Sequence, residues 1–194
     1  MTIDPQQLRK ETLRTRNELS KSQRIKASEA ICENLLNMPE IINSNTIFAY
    51  VSFRSEVSTL TLIEALIAAG KTVAVPITRV KEKRLDAIRI QNITHDLDPG
   101  YCDIPEPTTA LCEINIIDPV TIDAILLPGS VFDIRGGRFG YGGGFYDRFV
   151  SSIPTAKRIG LAYDLQVVEH IPLQPHDELL DFVVTESNIF KGQR

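Results

Sequence analysis

The chain has 194 residues, 43% hydrophobic and 24% charged, enough apolar material for one domain with a proper core. Its 21 Lys and Arg against 25 Asp and Glu leave a formal net charge of −4, the wrong sign for a polyanion binder, so nucleic acid is excluded as an expected partner. No apolar run reaches the length of a membrane span, the first residues lack the apolar core of a secretion signal, and Cys32, Cys102 and Cys112 form no C-x-x-C pair. A cytoplasmic protein without membrane contact, disulfides or structural zinc is expected.

Asp4-Pro5-Gln6-Gln7 places a capping carboxylate, a proline at the first helical position and Gln at the third, which predicts a helix to about Glu18 with Lys10 and Arg14 on one face. Ser20-Lys21-Ser22-Gln23 repeats the capping pattern and opens a second helix that Pro39 ends. Strand and helix signals then alternate. Thr46–Ser52 reads as a strand, Thr59–Ala69 as a helix closed by Gly70, and Thr72–Ile77 and Leu85–Ile90 as strands. The segment 96–118 is rich in Pro and Asp and reads mostly as loop, with room for one short edge strand. A strand at Ile122–Leu127, a glycine loop, a helix to about Ile153, and strands at Arg158–Ala162 and Phe182–Thr185 complete the chain. This order predicts a single three-layer α/β domain over residues 1–194: a largely parallel, Rossmann-like central sheet flanked by helices. Ligands of such sheets sit beyond the carboxyl ends of the strands. Three features are expected to converge there: the loop with Arg54 and Glu56, the glycine loop, and the turn with His176 and Asp177.

Gly136–Arg148, GGRFGYGGGFYDR, is the most informative segment. Glycines permit positive φ and let an anion approach unpaired N–H groups, while Arg138, Tyr141, Tyr146, Asp147 and Arg148 add cationic, hydroxyl and carboxylate chemistry. The Walker pattern fails because Phe145-Tyr146 follows Gly144 where Lys-Ser/Thr is needed. The dinucleotide pattern G-x-G-x-x-G fails because Phe145 stands at its third glycine. On the residues alone, Lys10 reads equally as part of a solvated helix face, Glu56 as a surface acid, Asp147 as a helix-start carboxylate and Tyr146 as a core aromatic.

The run PGSVFDIRGGRFGYGGGFYDRF resembles the signature of the 5-formyltetrahydrofolate cyclo-ligases, also called 5,10-methenyltetrahydrofolate synthetases. The resemblance extends to Lys10 and Arg14, to Ser52, Glu56 and Val57, to Ile104-Pro105-Glu106-Pro107 and to the tail PLQPHDELLDFVVTE. It implies ATP- and Mg²⁺-dependent cyclisation of 5-formyltetrahydrofolate to 5,10-methenyltetrahydrofolate, with ADP and phosphate released, by a monomer. By the same resemblance Lys10, Arg14 and Arg138 contact the ATP phosphates, with Gly140, Gly142, Gly143, Gly144 and Tyr146 completing the nucleotide site. Arg138, Tyr146 and Asp147 are the implied catalytic residues. Asp147 and, second, Asp177 hold the metal, and His176 could orient Asp177. Glu56 binds the pteridine, and Val51, Tyr141 and Phe145 line the folate pocket. The sequence departs from the family pattern at Phe139, in place of Leu, and at Phe145, where many relatives carry Tyr. The rival readings are a folate- or nucleotide-binding relative without turnover, and a sugar-phosphate isomerase or acyl-CoA transferase of similar architecture.

Overall fold

The computed structural model of the chain describes residues 4–174 and 177–194; His176 lies outside them. Helix α1 (Pro5–Glu18) starts where the sequence places it, but Asp4 caps the amide of Gln6 and the Gln7 side chain donates forward to Glu11 instead of back to the cap. The capping box at Ser20 and Gln23 forms in full and opens α2 (Lys21–Leu36). Pro39 not only ends α2 but also stands at the first position of the short α3 (Pro39–Ile42). Strand β1 (Thr46–Ala49), α4 (Leu60–Ala68), β2 (Thr72–Arg79) and β3 (Arg84–Ile90) follow. Gly70, at φ +79°, lets the chain turn out of α4.

The stretch read as loop holds more order than its Pro and Asp content suggests. It contains a small hairpin, β4 (Leu97–Pro99) and β5 (Pro105–Pro107), then α5 (Thr109–Ile114) and the edge strand β6 (Ile116–Ile117). Strand β7 (Ala124–Leu127) leads into a hairpin that lies within the glycine-rich region, β8 (Val131–Asp133) and β9 (Arg138–Phe139), and then into α6 (Phe145–Ser151). The chain closes with β10 (Lys157–Leu161), β11 (Val167–Val168), β12 (Phe182–Val184) and β13 (Ile189–Lys191).

The central sheet runs β13-β12-β10-β7-β1-β2-β3-β6. The five strands from β12 to β2 are mutually parallel, and β13, β3 and β6 are antiparallel additions at the two edges. Alternation along the buried strands builds two cores. Ile47, Ala49, Ala124 and Leu126 face α2 and α4, whereas Phe48, Ile125 and Leu127 face Phe149 and Val150 of α6. The layers are therefore helix, sheet and helix, as the strand order predicts.

The β8–β9 hairpin is organised around Asp133, whose side chain has no solvent exposure. Its carboxylate accepts the amides of Arg135, Gly137 and Ile171 and pairs with the Arg135 guanidinium at 2.8 Å. Burial alone would raise the Asp133 pKa; the Arg135 side chain and the three amides together hold it below the usual carboxylate range. The turn also accepts the Leu180 amide at Gly136 O and the Gln193 amide at Arg135 O, while Gly192 N donates to Asp181 O and Arg194 reaches Ala156 O and Asp181.

Removing the Asp133 carboxylate leaves the partly exposed Arg135 guanidinium and three amides without their acceptor. Asp133→Ala is expected to lose about 3 kcal/mol or more of unfolding free energy in urea titrations at neutral pH. Because the folded pKa is depressed, this contribution is present above the unfolded carboxylate pKa and is lost as pH falls through the folded value. The gap between wild type and variant should therefore narrow below about pH 4.

Candidate functional site

The site forms where β1 and β7 end. Beyond β1 the chain continues through Val51, which is buried under the loop 52–58, and the Thr59 hydroxyl and Ser52 side chain stitch that loop's two ends together. Glu56 sits on this loop, its Oε2 accepting the amide of Phe53 at 2.9 Å. Its Oε1 accepts the hydroxyl of Tyr141 from the glycine loop at 2.6 Å, so two of the three expected features meet in one hydrogen bond. Burial pushes the Glu56 carboxyl up; the Tyr141 hydroxyl, the Phe53 amide and the Arg16 guanidinium partly offset this. Tyr141 and Tyr146 are both pushed well above the usual phenol range, by burial first and by the Glu56 charge second, so both phenols stay neutral and Tyr141 donates.

Beyond β7 the carbonyls of Pro128 and Gly129 are each taken by an arginine from elsewhere. Arg138 Nη1 donates to Pro128 O at 3.1 Å, and Arg16 Nη1 donates to Gly129 O at 3.2 Å. The Arg138 side chain is 2% exposed and binds Asp147 Oδ1 through Nη2 at 2.5 Å, while its Nε is buried with no partner among the described residues. Asp147 lies in the first turn of α6 and is partly exposed. Glu56, Arg16, Pro128, Gly129 and Gln166 line a narrow crevice that is closed to a water molecule. A larger hollow opens at the amino ends of the strands, between Asn43, Asp123 and Lys157, and contains none of these groups.

The glycine loop closes the wall. Among the described residues, no amide from Gly140 to Gly144 donates a hydrogen bond within the chain. Gly142 (φ +94°) and Gly144 (φ +63°) occupy conformations that a side chain would strain. Arg148 ties the loop from behind, donating to Gly143 O and to Lys83 O in the β2–β3 turn. Phe145 is half-buried beneath the Arg148 guanidinium, and Tyr146 packs between the two cores while its ring lies under Arg138, 6.0 Å from the guanidinium carbon.

The remaining expected residues stand elsewhere. Lys10 and Arg14 project from the exposed face of α1, where Arg14 approaches Glu18. The face of α1 turned inward carries Thr12 and Arg16 instead, and Arg9 lies over the Phe139 ring at 5.5 Å with its Nε buried and unpartnered among the described residues. Asp177 accepts the Gln174 amide, and its neighbour Glu178 pairs with Arg158 at the amino end of β10. The turn around Asp177 thus leads into β12 from its amino end, while Asp147 and Glu56 lie beyond the carboxyl ends. Among the described residues, no three His, Cys, Asp or Glu side chains gather into a ready-made metal cage.

The parallel α/β domain thus brings together an unpaired-amide loop, two buried arginines and a carboxylate facing the loop. Comparison with known proteins names the family. The 5-formyltetrahydrofolate cyclo-ligase family model matches residues 2–186. The Haemophilus influenzae 5-formyltetrahydrofolate cyclo-ligase is 31% identical over 182 residues, 92% of this chain and 96% of that protein. The Escherichia coli K12 enzyme is 28% identical over 179 residues, 91% and 97% of the two chains. The solution structure of Aquifex aeolicus 5,10-methenyltetrahydrofolate synthetase superimposes with a TM-score of 0.84 at 30% identity, covering 97% of this chain and 93% of that one. The chain belongs to the 5-formyltetrahydrofolate cyclo-ligase family, a family of ligases of folate one-carbon metabolism.

A Cβ on Gly140 would stand 3.0 Å from Arg138 Nη1, the atom that holds Pro128 O. Gly140→Ala is expected to displace the guanidinium by a few tenths of an ångström, lowering cyclo-ligase kcat/KM about 10-fold while the melting temperature falls only a few degrees. Steady-state kinetics beside thermal melts would check this.

Proposed function

We propose that the chain uses ATP and Mg²⁺ to cyclise 5-formyltetrahydrofolate, with the glycine loop and Arg138 on the phosphates and Glu56 on the pteridine. The observation that supports this most is the Tyr141–Glu56 hydrogen bond, because it joins the anion-facing loop to a half-buried carboxylate within one site. A formyl amide oxygen is a poor leaving group. In the reaction proposed it attacks the γ-phosphorus of ATP, ADP departs, and the resulting imidate phosphate is attacked at carbon by N10. Phosphate then leaves as the ring closes. Such phosphoryl transfer relies on positioning and charge neutralisation more than on covalent chemistry from the protein.

Each part has a residue suited to it. The amides from Gly140 to Gly144 and the buried guanidinium of Arg138 offer donors to phosphate oxygens. Arg9 lies over Phe139 beside the glycine loop and its buried Nε lacks a partner among the described residues, whereas Arg16 is already committed to Ser55, Gly129 and Tyr141, so phosphate contact from this helix falls to Arg9 in preference to the outward Lys10 and Arg14. Tyr146, neutral and held beneath Arg138, is placed to fix the guanidinium plane. Glu56 retains a free lone pair on each oxygen after accepting Tyr141 and Phe53, which suits the paired N–H groups of an aminopyrimidinone edge. Val51 and Phe145 supply apolar walls.

The donor set also fits Mg²⁺. The ion usually takes one or two carboxylates with phosphate oxygens and water, and Asp147, with one oxygen on Arg138, has a second oxygen available. When bound it would neutralise charge on the transferred phosphoryl group. Of the two carboxylates read from the sequence, Asp147 lies on the site and is the one assigned to the metal.

The first test is growth of methenyltetrahydrofolate absorbance from 5-formyltetrahydrofolate, with and without ATP and with Mg²⁺ chelated. Growth should require both; growth without ATP, or none at all with both ligands shown to bind, would overturn the proposal. Asp147→Asn should raise the KM for ATP about 10-fold or more while changing the folate KM little, and an unchanged ATP KM removes Asp147 from the metal. Conversely, Glu56→Gln should raise the folate KM about 10-fold and leave that for ATP unaltered.

A further inference from the structure

Arg16 is 5% exposed, yet it lies on the protein side of a hydrogen-bond chain that ends at the proposed pteridine carboxylate. Its Nε donates to Ser55 Oγ at 3.0 Å, and its Nη1 donates to Gly129 O at 3.2 Å and Tyr141 Oη at 2.9 Å. Each hydroxyl in this cluster has a single proton, and both are committed elsewhere. Ser55 donates to Asn17 Oδ1 at 2.5 Å, and Tyr141 donates to Glu56 Oε1 at 2.6 Å. The direction of the chain is therefore fixed: guanidinium to phenol to carboxylate, each donor polarising the next. One side chain from α1 thus touches the β1 loop at Ser55, the end of β7 at Gly129 and the glycine loop at Tyr141.

We propose that Arg16 is a positioning residue for folate binding, orienting Glu56 through the Tyr141 hydroxyl and locking α1 to both loops that carry the site. The proposal rests on the reading of Glu56 as the pteridine carboxylate. Arg16 cannot reach a ligand through Tyr141, whose ring lies 5.9 Å from the guanidinium carbon and is half exposed on the other side. Its effect is instead on what the ligand meets: a carboxylate held at one angle, with the lone pairs not used by Tyr141 and Phe53 turned outward. A lysine in its place would keep the charge but, with one compact ammonium, could not hold three acceptors in a fixed fork.

The groups facing Glu56 are the Arg16 guanidinium and the phenols of Tyr50, Tyr141 and Tyr146, with Arg54 beside it on its own loop, turned over the Phe53 ring. Arg16 is thus the cation that favours the ionised carboxylate from a neighbouring element, against a burial that disfavours it. Removing it should move the acidic limb of the folate kcat/KM profile to higher pH, an effect that a purely structural arginine would not produce.

The experiment compares Arg16→Gln, Arg16→Lys, Tyr141→Phe and the Arg16→Gln/Tyr141→Phe double variant, with folate and ATP kinetics across pH and thermal melts for each. Arg16→Gln is expected to raise the folate KM about 10-fold, leave the ATP KM within about twofold and shift the acidic limb upward. Arg16→Lys should raise the folate KM with little movement of the limb. The double variant should be no worse than the poorer single, because both changes break the same chain. Additive effects in the double variant, a parallel rise of both KM values, or an unmoved limb in Arg16→Gln would overturn the proposal. If Arg16→Gln does not fold, Arg16→Lys combined with Tyr141→Phe decides by the same additivity criterion. Glu56→Gln run in parallel separates the two levels. An unchanged folate KM there overturns the assignment of Glu56 itself. A raised KM there, with no change in the Arg16 variants, overturns the role of Arg16 alone.

Discussion

A carboxylate with no access to water holds the business end of this fold in place. Asp133 gathers three amides and a guanidinium around the turn between β8 and β9, and that turn returns the chain to Arg138 and the glycine loop. A usual β-α-β crossover would go directly from β7 to α6. Here the chain first makes a two-stranded detour, and without an internal acceptor its polar backbone would be buried unpaired. The charge is tolerated because every direction from which it could be solvated is filled by a donor.

From that anchored hairpin the site is assembled by borrowing. The Pro128 and Gly129 carbonyls at the end of β7 are satisfied by arginines from β9 and α1, and Gln166 supplies further donors to Gly129 and Ser130. Backbone that has just left a sheet usually finds water. Here it finds long cationic side chains whose other nitrogens extend to Asp147, Ser55 and Tyr141. Satisfying the strand end and fixing the side chains of the candidate site are thus the same set of bonds.

Much of this was legible in the sequence, and what was not has physical reasons. The caps at Asp4 and Ser20, the alternating buried strands and the glycine loop are local signals, and each fell where local chemistry put it. The family resemblance rested on the same loop. The hairpin was hidden because its glycines read as one continuous turn, although Asp133 four residues before Gly137 was the available clue to a side-chain-capped turn. On α1 the family resemblance pointed to Lys10 and Arg14, while the residues alone also allowed a solvated face for Lys10; both stand on the exposed face. Leu8 and Leu19, three turns apart and both packed against core clusters, mark the buried stripe, and Arg16 lies along it. Asp177 was grouped with the site although a turn preceding a parallel strand feeds its amino end; only pairing partners reveal how far such a turn travels.

The detour also changes what the last residues of the chain are. Terminal segments ordinarily fray because few bonds cross to them. Here Gly192 donates to Asp181, Gln193 to the Arg135 carbonyl within the Asp133 turn, and Arg194 to Ala156 and Asp181. This tail is therefore tied by backbone bonds to the turn that leads into the glycine loop. Anything appended there, a purification tag or a fluorophore, is attached to the frame of the candidate site rather than to a loose end.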